Sequence, residues 1–398
     1  MSVQENQQKS SVGIPPLFQC PISLEIMSDP VTLCTGITYD RASIKKWFRA
    51  GNNICPASGQ TLHTRELIPN HTLAALIKKW RLKNPSDPTA QNNQNLQHMI
   101  EQIDKGGAVK IEALRNLKNF ARVESNRSNL QSEGVLPALI RVMQVFDPVH
   151  PVEHETEAVQ EAISAIVLFS VDEDIFSRDL LSGRAIRTVE WVLAKGDLES
   201  RINAATLVEK LAKGDETGAM EIGSMEGITD GLLTLLEQNN NTHYSGLRAL
   251  VPLCQVVAYR VKLAETFGVI PLLTRLLGAS ERGVIESSMA ILEALSTVCQ
   301  GRWGIIDYAL AVPTIVRILL VVSRVATDHG IGILLNICKN CSKEDEIRDV
   351  GKTGVLEKLV ALLHMDCEPR TKKRANFLIK ILSPLQNYDS RTQFVIHL

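Results

Sequence analysis

Aromatic residues are scarce in this chain: nine Phe, five Tyr and four Trp make up 5% of 398 residues. Hydrophobic residues nevertheless reach 44%, so the apolar content comes from Leu, Ile, Val and Ala, which suits stacked helices better than a β-sandwich. Net charge is also nearly missing, at −1, so no global field draws the chain to nucleic acid. No apolar run approaches membrane-spanning length, and VRILLVVSRVA is interrupted by Arg317 and Arg324, so no membrane span is expected. The opening MSVQENQQKSSVG has no apolar core and does not read as a signal peptide. Eight cysteines without a secretory signal imply free thiols in a reducing compartment. The expected location is the cytoplasm, with the nucleus and the membrane periphery as further sites.

The length exceeds one small core and calls for at least two folding units. Residues 1–13 read as a disordered polar tail. Residues 14–84 are rich in Pro, Cys and turn signals and form the first unit. They hold nine Lys or Arg against four Asp or Glu, a net of +5, on a chain that is otherwise acidic. A basic head of this kind suits an acidic partner, although from charge alone a solvated surface is the simpler reading. NPSDPTAQNNQN follows, and residues 85–98 read as a linker.

Residues 99–388 are dominated by helical periodicity and repeat. GVLPALIRVM, GRAIRTVEWVL, GITDGLLTLL, GVIPLLTRLL, LAVPTIVRILL and GVLEKLVALL share one pattern. Their fourth residues, Pro137, Ile186, Asp230, Pro271, Pro313 and Glu357, step by 49, 44, 41, 42 and 44 residues. Each phrase begins with Gly or a small apolar residue and then runs apolar at helical spacing. A second helix, such as ESSMAILEALSTV or HGIGILLNIC, follows within each repeat and is apolar enough for an inner layer. The long first step carries an insertion, QVFDPVHPVEHETE, expected to be a surface loop. Residues 389–398 read as a C-terminal tail.

Within residues 14–84, VTLCTGITYD predicts a hairpin turning at Thr35-Gly36. Asp40 stands where a helix N-cap belongs, and Ile44, Trp47 and Phe48 follow at helical spacing until Gly51. Asn70 precedes a second helix whose Leu73, Leu76, Ile77 and Trp80 share one stripe. So small a core usually needs a staple. Cys20-Pro21-Ile22-Ser23 and Cys55-Pro56-Ala57-Ser58 look like zinc knuckles in which Ser replaces the second Cys. Cys20, Cys34, Cys55, His63 and His71 offer no pair of ligands three apart, and a neutral hydroxyl is a poor zinc ligand, so no metal is expected. Hydrogen bonds and ion pairs must replace it, with Glu25, Asp29, Asp40 and Arg41 as candidates.

The segments IPPLFQCPISLEIMSDPVTLCTGITYDRASIKKWF, NICPASGQTL and LIPNHTLAALIKKW closely resemble the plant U-box. The repeats resemble armadillo repeats. Together they resemble plant U-box ubiquitin ligases. The implied fold is mostly α: a small α+β U-box, RING-like and zinc-free, then a right-handed α-solenoid of armadillo repeats. The implied activity is that of an E3 ubiquitin transferase without a covalent ubiquitin intermediate, a cofactor or a catalytic nucleophile. The implied partners are a ubiquitin-charged conjugating enzyme and a protein substrate on the repeats. Roles in plant defence and stress signalling belong to the same implication, and dimerisation is left open.

Carried over residue by residue, Ile22 and Leu24 match first-loop contacts to the conjugating enzyme, Trp47 the groove floor and Pro56 the second-loop contact. Cys20, Asp40 and Arg41 would support that groove. From the residues alone, Ile22 and Leu24 read first as core, Trp47 as core or contact alike, and Pro56 as a loop stiffener. One departure matters: Ser58-Gly59-Gln60 lacks the basic residue that many such ligases use to bridge ubiquitin and the conjugating enzyme. A non-catalytic armadillo adaptor with a weak or inactive U-box is therefore the alternative. Cys338-x-x-Cys341 reads as packing rather than a metal site, and Lys372-Lys373-Arg374 as a solvated helix face.

Overall fold

The computed structural model describes residues 14–83, 88–123, 134–168, 180–181, 183–214, 216–238, 242–340 and 344–386. Both expected tails and residues 84–87 lie outside these. The chain divides into two compact units, Met1–Val142 with Val152–Val171, and Met143–Pro151 with Asp172–Leu398.

The first unit opens with a short 3-10 helix, Pro16–Phe18, and the expected hairpin. Strands β1 (Pro30–Thr32) and β2 (Thr38–Asp40) pair antiparallel, with Val31 opposite Tyr39. Gly36 takes φ 77° in the connection, a left-handed conformation that a Cβ would penalise. Strand β3 (Ile68–Pro69) pairs with the other edge of β1, giving the order β2-β1-β3. Helix α1 (Arg41–Arg49) stops at Gly51, whose φ is 85°. Helix α2 (His71–Lys83) starts where Asn70 Oδ1 accepts the Leu73 N–H at 3.0 Å. Val31, Leu33, Tyr39, Ile44 and Ile77 are buried with Cys20 and Cys55 in one core. Leu76 departs from the expected stripe: it is 51% exposed, whereas Phe18 meets Trp80 edge-on at 5.9 Å.

The expected linker is partly helical. Helix α3 (Pro88–Lys105) opens on a proline, whose fixed φ suits a first turn, and buries Leu96 and Ile103. Polarity hid this helix, because so few of its residues face a core. After it, α4 (Gly107–Arg122) packs on the helix Glu153–Leu168, and Lys118 Nζ reaches Glu161 at 2.5 Å. That second helix corrects the insertion reading. Its acidic residues Glu153 and Glu155 form a first turn, where the helix dipole favours them, so the loop is confined to the residues before it.

All six repeat phrases form helices: Val135–Val145, Arg184–Lys195, Glu226–Glu237, Val269–Leu276, Ala311–Ile318 and Val355–His364. Gly134, Gly183, Gly268 and Gly354 precede four of them with positive φ, which is why the phrases open on glycine. The second helices include Leu198–Gly214, His243–Leu253, Arg282–Ser296, Arg324–Asn340 and Pro369–Gln386, which pack successively on one another. A third, short helix per repeat is not foreshadowed by the sequence pattern: Glu216–Ser224, Val257–Glu265, Cys299–Asp307 and Glu344–Gly351. At nine residues or fewer, they fall short of the roughly 11-residue window over which a helical pattern can be told from chance.

Arg374 departs from the solvated face expected of it. It is bound to Glu293 at 3.0 Å and Asp328 at 3.2 Å, while His329 Nδ1 lies 2.6 Å from Glu293. A Cβ on Gly332 would lie 2.1 Å from the Glu293 carboxylate, so the bare backbone there leaves room for this clasp. Cys338 is buried in its helix, and Cys341 lies outside the described residues.

Gly301 tests how closely the short helices approach. A Cβ there would sit 2.1 Å from the Leu295 carbonyl oxygen, a backbone atom that cannot swing away. Helix propensity alone predicts that Gly301→Ala stabilises by about 1 kcal/mol, whereas the clash predicts a loss of about 1–3 kcal/mol. The clash should dominate, and urea denaturation reads the sign directly.

Candidate functional site

Two loops of the first unit share one backbone pattern. Cys20 N–H donates to the Glu25 carbonyl and Leu24 N–H donates back to the Cys20 carbonyl, both at 2.8 Å. Cys55 N–H donates to Gln60 and Gly59 N–H to Cys55, again both at 2.8 Å. The flanks close as isolated bridges, Gln19 with Ile26 and Ile54 with Thr61. The fifth residue of each loop has positive φ, 59° at Leu24 and 69° at Gly59. This is knuckle geometry held by backbone hydrogen bonds. Among the described residues, no group of three or more His, Cys, Asp or Glu is placed to hold a metal ion.

Adjacent residues of β2 fasten these loops. Asp40 N–H donates to Cys20 Sγ at 3.3 Å. Asp40 Oδ1 accepts from Ser28 N at 2.8 Å, Ser28 Oγ at 3.1 Å and Asp29 N at 2.9 Å. Its side chain thus makes no helix cap; it closes the end of the first loop region instead. Arg41 Nε then binds Asp29 Oδ2 at 2.6 Å. Of the four expected substitutes for metal, Asp29, Asp40 and Arg41 are joined here, whereas Glu25 contributes its backbone. On the other side, Tyr39 Oη lies 3.0 Å from Cys55 Sγ and accepts the Ala57 N–H at 3.0 Å. Thr35 Oγ1 donates to the same sulfur at 3.4 Å. Tyr39 does not stand out in the sequence; its one signal is an aromatic hydroxyl beside an acidic residue on a short strand.

Burial raises the Cys55 thiol, but hydrogen bonds from Ser58, Thr35 and Tyr39 outweigh it and lower the pKa to about 6. Burial first, then the bond to Cys55, raises the Tyr39 phenol.

The residues matched to conjugating-enzyme contacts occupy different levels. Ile22 and Trp47 are half-buried and pack on the same core. Trp47 Nε1 donates to the Ile54 carbonyl at 2.9 Å, joining α1 to the second loop just before the half-buried Pro56. Leu24 points outward and is 72% exposed. Ile54, 43% exposed, extends the apolar surface, and sequence reasoning misses it because an isolated Ile in a loop carries no pattern. Arg65 is missed as well. It donates to Asn53 Oδ1 at 3.2 Å and to the Asn52 carbonyl at 3.3 Å, and lies over the Phe48 ring at 5.4 Å. Gln60 is exposed at the position that lacks an arginine.

Two knuckle-like loops on a three-stranded sheet, followed by repeats of three helices, define a U-box with an armadillo region. Residues 14–86 match the U-box domain, and residues 95–394 match the plant U-box protein ARM repeat region. U-box domain-containing protein 25 of Arabidopsis thaliana is 32% identical over 395 residues, covering 93% of this chain and 91% of that one. E3 ubiquitin-protein ligase PUB23 of the same plant is 28% identical, covering 93% of each. A designed armadillo repeat protein covers 62% of this chain and 99% of its own at TM-score 0.53 and 17% identity. An engineered protein of known crystal structure covers 79% of each at TM-score 0.59 and 17% identity. The chain belongs to the plant U-box proteins with an armadillo-repeat region.

The lowered pKa of Cys55 gives a pH dependence. Its folded value, about 6, lies below the ordinary 9.0, so the thiolate's contribution is full above pH 9.0 and is lost as pH falls through about 6. Melting curves between these limits should show the wild type losing more stability on acidification than Cys55→Ser.

Proposed function

We propose that this protein is an E3 ubiquitin ligase whose U-box docks a ubiquitin-charged conjugating enzyme on Ile22, Leu24, Trp47 and Pro56. The single observation that carries the docking assignment is Leu24. A non-glycine residue in the left-handed region costs about 1–2 kcal/mol, and burying its side chain in the fold does not offset that cost, because Leu24 is 72% exposed. A strained backbone that presents a large apolar side chain to solvent is suited to a partner's pocket. Trp47 and Pro56 supply a rigid floor beside it, and Ile54 widens the patch. Such a compact apolar patch fits weak, exchangeable docking.

On this reading the ligase forms no covalent bond to ubiquitin. It holds the charged conjugating enzyme in a closed arrangement, raising the fraction of time the thioester is set for attack. A neutral substrate lysine amine attacks the thioester carbonyl, the C–S bond breaks with its electron pair leaving on the conjugating enzyme's sulfur, the nitrogen gives up one proton to that thiolate or to water, and an isopeptide bond forms. Cys20 and Cys55 are fully buried, which suits support of the loops rather than nucleophilic attack. The repeats hold the substrate and raise its effective concentration. Among the described residues, no helix is long and apolar enough to cross a membrane. The name E3 ubiquitin-protein ligase carried by similar plant proteins supports the activity.

The adaptor reading retains one specific observation: Ser58-Gly59-Gln60 presents an exposed Gln where a guanidinium would bridge ubiquitin and its carrier.

The test uses the full chain with activating enzyme, a panel of conjugating enzymes and ubiquitin. The wild type should build chains with at least one of them. Leu24→Gly should lose about ten-fold or more of that rate while melting at the same temperature or higher, because glycine relieves the strain. Trp47→Ala should lose activity and stability together, since its bond to Ile54 also goes. Full activity in Leu24→Gly would falsify the docking assignment. A wild type silent with every conjugating enzyme would favour the adaptor.

A further inference from the structure

A groove of about 600 Å³ opens on the first-helix layer of the repeats, far along the chain from the U-box. Arg275 and Arg317 line it, from the helices Val269–Leu276 and Ala311–Ile318, which pack against each other. Both arginines take the eighth position of their repeat phrase, 42 residues apart. Both are exposed, and neither guanidinium has a hydrogen-bond or ion-pair partner among the described residues. The other phrases differ at this position. Arg141 is bound to Asp104 at 2.9 Å, Glu190 accepts the Gly227 N–H, and Thr234 and Ala361 carry no charge. At this eighth position, unpartnered arginines on two neighbouring first helices therefore occur only here among the six phrases.

The rest of the lining includes apolar residues and one carboxylate. Pro271 and Leu310 are exposed, Leu310 by 61%, and Tyr308 is half-buried. Glu237 lines the groove as well, from the end of the preceding repeat's first helix. Among the described residues it makes no ion pair with either arginine.

We propose that this groove docks an extended acidic segment of a partner protein, with carboxylates at positions i and i+3 and a large apolar residue between them. Adjacent packed helices lie about 10 Å apart, which sets the separation of two arginines in the same register. A polyproline-type extended segment has three residues per turn and rises about 3.1 Å per residue, so its i and i+3 side chains share a face at about 9 Å. Each carboxylate meets one guanidinium, and the intervening apolar residue lies on Leu310 and Pro271. Glu237 repels further acid at its edge and so favours a neutral or basic residue there.

This site goes beyond the ligase reading, and its test needs neither ubiquitin nor a conjugating enzyme, so either can fail alone. Fluorescein-labelled peptides with the cores Glu-Pro-Leu-Glu, Gln-Pro-Leu-Gln and Lys-Pro-Leu-Lys are titrated into the full chain and followed by polarisation. The Glu peptide should bind about ten-fold more tightly than the Gln peptide, the size expected of two exposed charge pairs, and lose affinity as salt rises. Arg275→Glu with Arg317→Glu should reverse the preference toward the Lys peptide, with circular dichroism unchanged. Arg275→Lys with Arg317→Lys should keep part of the Glu preference, and Glu237→Gln should strengthen it. Equal binding of the Glu and Gln peptides, absence of binding by all three, or an unaltered preference after charge reversal overturns the proposal. So does binding of phosphatidylserine vesicles in place of the Glu peptide.

Discussion

One short strand carries the U-box. Tyr39 and Asp40 are neighbours on β2, and each fastens a different loop around a buried sulfur. Side chains alternate across a strand, so two consecutive residues reach opposite directions without any change of backbone. The job that a metal performs by gathering ligands is thus performed by alternation. The carboxylate satisfies three donors on one side, and the phenol bridges a backbone N–H and a thiol on the other. Buried polar groups of this kind stabilise only when all are satisfied, which leaves little tolerance for change at either residue.

What rests on this strand is the presentation of the loops. Their matched hydrogen bonds fix the backbone at Leu24 and Gly59 in the same left-handed conformation, yet one position is glycine and the other leucine. The asymmetry separates the two loops by role. Gly59 takes the conformation without strain, while Leu24 takes it against its intrinsic preference and places an apolar side chain in water. Trp47 then ties the second loop to α1, so the surfaces on both loops stand on one rigid base.

Much of this is legible in residue order. The hairpin, both U-box helices and all six repeat phrases follow from periodicity and turn chemistry, because each has enough length for its pattern to repeat. The serine in each knuckle argues against zinc on ligand chemistry alone. Pairings are not legible: Asp40 sits at a cap position in sequence but is spent on Ser28 and Asp29, a choice made by tertiary contact. Tyr39, Ile54 and Arg65 escape for the same reason. The short third helices escape because about two turns are too few for a repeating pattern to stand out. Helix α3 escapes because its composition is polar, and the turn at Glu153 because proline-bearing acid reads as loop.

The clasp of Glu293, His329, Asp328 and Arg374 has a consequence for how the last repeats come apart. Stacked repeats ordinarily touch only their neighbours, and their stability is then a chain of independent links. Here Glu293 on Arg282–Ser296 reaches past the helix Arg324–Asn340 to Arg374 on Pro369–Gln386, over the bare backbone of Gly332. Three successive inner helices are thereby coupled beyond nearest neighbours. The C-terminal end of the array should fray as one block rather than repeat by repeat, which gives this stretch of the solenoid a cooperativity its architecture does not by itself provide.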